Sequence, residues 1–318
     1  MAVIEPRDED LHAPSGDRHW QESFYFNWAD EGGRYFGLTR IGLNWYTEQA
    51  NALVIVMENR KAALVHFSRV SLKGRSPGEL FGRGLRVGAV TYSLEEPLHR
   101  WRLTLATASA FDLSWMAYTP AIDFHEHIDG PRIQEHFEQS GVVEGTMTVR
   151  GEQIKVRCLG QRDKSWGLRD WNGLEGWDWL VGQFGEDLAF NATWTDIHGQ
   201  RVSTGYVFAG GRVRPIDRVK ITYTWDKPHR PATAVVDMRD VDGQTYRIRG
   251  RALGGRVPLA ASGLWIEETH TAWEWDIDGQ SRVGHGVVEH AYHVGALGTL
   301  RRLHRVLPVV ALALRGAK

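Results

Sequence analysis

Along most of the chain apolar and polar residues alternate with a period of two, in short runs bounded by turn residues, which is the pattern of strands with differing faces. Over 246–251, Tyr246, Ile248 and Gly250 fall on one side and Arg247, Arg249 and Arg251 on the other. Over 221–226, Ile221, Tyr223 and Trp225 oppose Thr222, Thr224 and Asp226. Further strands are predicted over 52–57, 85–93, 101–108 and 142–149. Hairpin turns fall at Arg150-Gly151, His198-Gly199, Gly210-Gly211, Asp242-Gly243 and Asp278-Gly279. Over 118–139 the alternation lapses into an irregular or partly helical excursion. The predicted fold class is all-β: antiparallel meanders that close into barrels or stack as sandwiches to hide their edges. A chain of 318 residues suits two such units in tandem, read here as a mobile polar lead-in over 1–19, a first domain over 20–159 and a second over 160–318.

The tail over 297–318 departs from this pattern. Leu300, Leu303, Leu307 and Val310 stand at helical spacing beside Arg301, Arg302, His304 and Arg305. A basic amphipathic segment of this kind either docks on its own domain or makes a peripheral contact with an anionic membrane, and Pro308 argues against one continuous helix. No stretch approaches the roughly 20 apolar residues of a membrane span. The beginning, MAVIEPRDEDLHAPSGDRHW, is polar and acidic and has no signal-peptide core.

Composition narrows the chemistry. A formal net charge of -1 gives no general attraction to nucleic acid. The single Cys158 forms no internal disulfide, and a reducing cytoplasm is the expected location. His125, Glu126 and His127 lack a third ligand nearby in sequence, so no metal is expected. Phosphate-binding loops, dinucleotide glycine fingerprints and nucleophile elbows are missing from the sequence, and no cofactor is expected.

Trp, at 14 copies, is unusually abundant and gathers with acids. In GQRDKSWGLRDWNGLEGWDWL, 160–180, extended backbone puts Asp163, Ser165, Gly167, Arg169 and Trp171 on one side and Arg162, Lys164, Trp166, Leu168 and Asp170 on the other. An acid in an aromatic-lined cavity keeps its proton to higher pH. Indole faces stabilise a carbocation by about 0.5–2 kcal/mol each. The segment therefore suits protonation of an apolar substrate, with Asp163 or Asp170 as donor and Trp166, Trp171, Trp177 and Trp179 as wall. The competing reading is a structural knot in which Arg162 or Arg169 pairs with Asp163 or Asp170 and lowers the acid's pKa. In GLWIEETHTAWEW, 263–275, alternation sets Glu267 among Trp265, Trp273 and Trp275, whereas Ile266, Glu268, His270, Glu274 and the following Asp276 resemble a solvated face. GHGVVEHAYHV, 284–294, offers Glu289 and His290 as acid/base groups, or His290 as a hydrogen-bonded structural residue.

The stretch QEHFEQSGVVEGTMTVRGEQIKVRCLGQRDKSWGLRDW, 134–171, with GHGVVEH, 284–290, resembles a group of bacterial proteins related to the hydroxyneurosporene synthase (carotenoid 1,2-hydratase) and AttH-like superfamily. The RDxSWGxRDW motif is specific for that group, and the resemblance runs in order along most of the chain. It implies two lipocalin-like barrels with an apolar ligand in or between them, and cofactor-free hydratase, cyclase or pericyclase chemistry. Asp163, Trp166, Arg169, Asp170 and Trp171 match the motif, while Lys164 stands where His is often expected. The expected function is a cofactor-independent enzyme that hydrates or cyclises a carbon-carbon double bond of an isoprenoid- or steroid-like substrate. Arg169 would orient the acid, Glu267 or Glu289 with His290 would position water, and Trp265 and Trp273 would extend the substrate wall. A non-catalytic carrier of lipid or pigment, and a pericyclase that acts by shaping its substrate, remain open alternatives.

Overall fold

The computed structural model describes residues 4–82, 84–124, 134–169, 173–261, 263–277 and 279–316. Its first sheet begins with a meander of β1 (Trp20–Ala29), β2 (Tyr35–Asn44), β3 (Gln49–Glu58) and β4 (Lys61–Ser71). The short helix α1 (Pro77–Phe81) leads to a second meander of β5 (Leu85–Val87), β6 (Val90–Glu96), β7 (Arg100–Leu105) and β8 (Ala110–Ala117). The brief β9 (Ile122–Asp123) pairs with β10 (Glu135–Val149), and β10 with β11 (Glu152–Leu168) joins the meanders in the order β4-β3-β2-β1-β11-β10-β8-β7-β6-β5. The sheet curls until β5 meets β3 and β4 around one core.

The second sheet is a closed barrel of β12 (Leu174–Gln183), β13 (Leu188–Ile197), β14 (Gln200–Ala209), β15 (Arg212–Lys227), β16 (Arg230–Asp240), β17 (Thr245–Ala261), β18 (Leu264–Ile277) and β19 (Gln280–His293). Pairing of β12 with β19 closes it, which removes the exposed edges an open meander would leave. The all-β architecture of two antiparallel sheets is the one the alternation predicts. Arg150-Gly151 turns with φ of 52° and 80°, the left-handed pair that a two-residue hairpin matched to strand twist requires.

Three local expectations give way to a different arrangement. The segment 85–93 is a hairpin, β5 and β6, because Gly88 adopts φ 62° and reverses the chain. The first sheet extends past residue 160: β11 stays paired with β1 as far as Leu168, and the chain changes sheets between Leu168 and Leu174. Glu9, within the segment read as a mobile lead-in, is buried, because β11 points two cations into the first core that need partners. Arg162, fully buried, receives Glu9 in a two-pronged ion pair at 3.0 and 2.6 Å. Lys164 Nζ donates to Glu22 and to the Asp10 carbonyl, both at 2.8 Å.

The C-terminal helix α2 (Gly295–Gly316) runs continuously through Pro308, contrary to the sequence expectation. Pro308 lies on the exposed side, where water can serve the carbonyl that loses its donor. Val309, Leu312 and Ala313 pack against the apolar cluster between the sheets, and Arg305 forms an ion pair with Glu267.

Removing Glu9 leaves the Arg162 charge buried without its counter-ion. Glu9→Ala is expected to cost about 3–5 kcal/mol of stability, measured by urea denaturation. A loss below about 1 kcal/mol would mean that the segment is only a surface strap.

Candidate functional site

Strands near the junction of the two sheets are buried on both faces. In β1, Phe24, Phe26 and Trp28 enter the first core, whereas Tyr25 and Ala29 turn the other way and meet Trp179, Val181 and Val257. Residues opposite one another on neighbouring strands share a face, so register lays out side chains in rows. On the first sheet Leu53, Arg40, Tyr25, Asp163 and Glu138 are successive partners across β3, β2, β1, β11 and β10. On the barrel Glu268, Glu289, Trp179, Thr193 and Thr204 are successive partners across β18, β19, β12, β13 and β14. Two hydrogen bonds join the rows. The Tyr25 hydroxyl donates to Glu268 at 2.7 Å, and the Trp179 indole donates to Glu138 at 2.7 Å.

Between the rows lies a cavity of about 600 Å³, within the usual range for a small-molecule site. Every member of the two rows except Glu138 lines it. Ser165, His136 and Trp177 extend its walls. Arg169 enters from the end of β11, its Nε donating to Gln134 at 2.6 Å and its Nη2 to Ser165 Oγ at 2.9 Å.

The acids in this space hold their protons unusually well. Burial raises the Asp163 pKa to about 7, against the opposing pull of Arg169 and Arg40. Glu268 and Glu289 sit directly opposite on β18 and β19 and hydrogen-bond to each other. Burial raises both, Glu268 well above the ordinary range, and their mutual repulsion adds to the rise for Glu268. Such a pair cannot ionise at both members cheaply. The Trp177 indole donates to Glu289 and holds it in place. Behind the wall, burial raises Glu138 to about 8, although Trp179, Gln161 and Asn191 all donate to it. Arg169 is lowered to about 10 by desolvation and by its neighbour Arg40.

Of the residues singled out in the sequence, Asp163, Arg169, Glu289, Trp177 and Trp179 line the cavity. Asp170 and Trp171 lie outside the described residues, as do His125, Glu126 and His127. Trp166 is on the opposite face of β11, stacked on His12 at 4.2 Å. Trp273 is in the barrel core. Trp265 and Glu267 share its face of β18: the Trp265 indole donates to Glu267 at 3.1 Å, and neither residue reaches the cavity. The phase assigned to β18 is correct, and on the side that resembled a solvated face Glu274 is exposed, but Ile266, Glu268 and His270 are buried at the junction, and Glu268 is the acid in the cavity. His290 points into the barrel, where its Nδ1 pairs with Asp178 at 2.6 Å. Tyr25, Arg40 and His136 were not singled out. Tyr25 and Arg40 have apolar or neutral immediate neighbours and His136 lies between Glu135 and Glu138 in a stretch read as irregular, so strand register is what brings each to the cavity.

The family model described as Domain of unknown function (DUF7064) matches residues 5–294. No curated protein matches the sequence. Among solved structures, an AttH-like protein of Nitrosomonas europaea superposes with a TM-score of 0.64 at 15% identity, covering 91% of this chain and 96% of that one. Kievitone hydratase from Nectria haematococca gives 0.63 at 12%, covering 92% and 93%. CghA with Sch210972 gives 0.58 at 11%, covering 92% and 96%. These likenesses show a shared fold.

Asp163 holds its proton to about pH 7 in the folded chain and to about pH 3.9 in an unfolded one. Between these values the folded state binds more protons, so stability falls as pH rises, by up to about 1.4 kcal/mol per pH unit for one proton. Asp163→Asn is therefore expected to be more stable than the parent at pH 8, with the advantage gone by pH 4. Urea denaturation at both pH values checks this, and equal stability at pH 8 would mean that Arg40 and Arg169 fully compensate the ionised carboxylate.

Proposed function

The chain belongs to the DUF7064 family, and we propose that it is an enzyme of the hydratase or cyclase type, acting by proton transfer on a largely apolar substrate held between its two sheets. The observation that carries this reading is the placement of Asp163 on one wall and the Glu268–Glu289 pair on the other, in one cavity with Trp177 and Trp179. The fold shared with a structure described as a hydratase supports it.

In the hydration direction Asp163 gives its proton to one carbon of a double bond, and the positive charge that develops on the neighbouring carbon faces the indoles. Water attacks that carbon, and its surplus proton passes to the ionised member of the Glu268–Glu289 pair. The sum is addition of one water, with a proton moved from one wall to the other. Return of that proton to Asp163 through solvent resets the site. In a cyclisation an internal double bond replaces water as the nucleophile, and loss of a proton to the same pair ends the reaction. Arg169 and Arg40 limit how far the Asp163 pKa rises, so that the acid is still able to release its proton. As proposed, the reaction uses only water and these side chains, and isoprenoid- or steroid-like skeletons suit the size and lining of the cavity.

Native mass spectrometry of protein purified from a lipid-containing extract, with identification of what co-purifies, would supply a substrate to test in heavy-oxygen water. The expected result is incorporation of heavy oxygen on hydration, or isomeric conversion on cyclisation, at a rate that falls as pH rises through about 7. Asp163→Asn and Glu289→Gln are each expected to slow turnover by about 10²–10⁴ while leaving affinity within a few-fold. A ligand that binds and is released unchanged by the parent would identify a carrier instead. A rate indifferent to pH and to both substitutions would identify a pericyclase that only shapes its substrate.

A further inference from the structure

The helix α2 has two apolar sides. Val309, Leu312 and Ala313 are used in docking, yet Leu297, Leu300, Leu303, Leu307 and Val310 stand 43–63% exposed in a single stripe. A stripe of large aliphatic residues on the outside of a folded chain marks a surface that meets something apolar. We propose that this stripe seats the protein on an anionic lipid bilayer, with α2 lying in the plane of the interface.

Charge selects that occupant. From Val294 to Lys318 the sequence holds five basic residues, Arg301, Arg302, Arg305, Arg315 and Lys318, and no acid. Arg305 is used internally by Glu267, and Arg302 lies over the Tyr292 ring at 5.7 Å. Arg301 is exposed beside the leucines, where it can meet a lipid phosphate while the leucines enter the acyl boundary. A second copy of the chain would bring the same uncompensated positive charge to the contact. The helix is not long and apolar enough to cross a membrane, which fits lying on the surface.

The position of α2 also connects that surface to the chamber. Val309, Leu312 and Ala313 pack in one cluster with Leu53 and Leu259, and those two residues line the cavity. The helix packs against β4, where Phe67 is 51% exposed and the guanidinium of Arg69, a cavity-lining residue, lies 5.8 Å from its ring. A bilayer under α2 would thus place an apolar reservoir next to the cavity wall. The membrane contact itself does not rest on the proposed chemistry.

The test is co-sedimentation of the full chain with vesicles of phosphatidylglycerol and phosphatidylcholine, and with vesicles of phosphatidylcholine alone. Binding to the anionic vesicles is expected, at least several-fold weaker on neutral ones and in high salt. Leu303→Glu with Leu307→Glu should reduce binding at least tenfold with an unchanged thermal midpoint. Leu300→Gln with Arg301→Gln, elsewhere along the stripe, should act in the same direction. Failure to bind anionic vesicles, or binding that ignores both double substitutions, overturns the proposal. A dimer in light scattering that the substitutions dissociate, without vesicle binding, would assign the stripe to a second copy and overturn it equally.

Discussion

A strand has two faces, and the strands that meet at the centre of this protein bury both. One face of β1 and β11 fills the first core, and the other meets the barrel. The same holds for β12, β18 and β19 on the barrel side. Two facing β-surfaces cannot both be apolar and still hold a polar chamber, so the polar groups at the junction have to satisfy one another. They do so through the Tyr25–Glu268 and Trp179–Glu138 hydrogen bonds, which tie one sheet to the other at points where an unpaired group would cost about 1–3 kcal/mol. The cavity exists between these ties, and its chemistry follows from which residues the register delivers to it.

The strand β11 separates ion-paired charge from the charge that faces the cavity. Arg162 and Lys164 point into the first core and are each matched by a carboxylate at hydrogen-bond distance, Glu9 and Glu22. Asp163, between them in sequence, points to the cavity, where Arg169 and Arg40 act on it through space while burial dominates. Of the pairings expected for this segment, Arg162 takes Glu9 as its partner, on the face opposite to the one on which Asp163 lines the cavity. Glu9 is distant in sequence and could not be paired with Arg162 by inspecting the motif.

The all-β class, most hairpin turns and the cavity-facing phase of Asp163, Ser165 and Arg169 were legible because they depend on local chemistry: alternation, glycine at positive φ, the geometry of an extended chain. Glu268 was not. Alternation tells which residues share a face but not whether that face meets water or another sheet, and an acid on a junction face has the same sequence pattern as an acid on a wet one. Tyr25 and Arg40 escaped for a different reason. Their roles arise from pairing Tyr25 with Asp163 and with Arg40, which is a property of strand order across more than a hundred residues. The continuous helix through Pro308 depends on solvent at that turn, which the local sequence does not reveal.

The same reasoning explains why the chamber lies between the sheets rather than inside the closed barrel. An eight-stranded barrel has an interior that side chains can fill, and here Phe190, Trp273 and Trp275 occupy it with Leu180 and Val288. Asp178, which faces inward, accepts from the Trp194 indole at 2.7 Å and pairs with His290, whose other nitrogen lies 3.3 Å from His229. That arrangement resembles a catalytic dyad in composition, but none of its residues lines the cavity between the sheets. Across the junction the large residues Trp177 and Trp179 are anchored by their indole N–H groups to carboxyls, which holds their rings at the wall and keeps the centre open. Space, protons and aromatic faces coincide there.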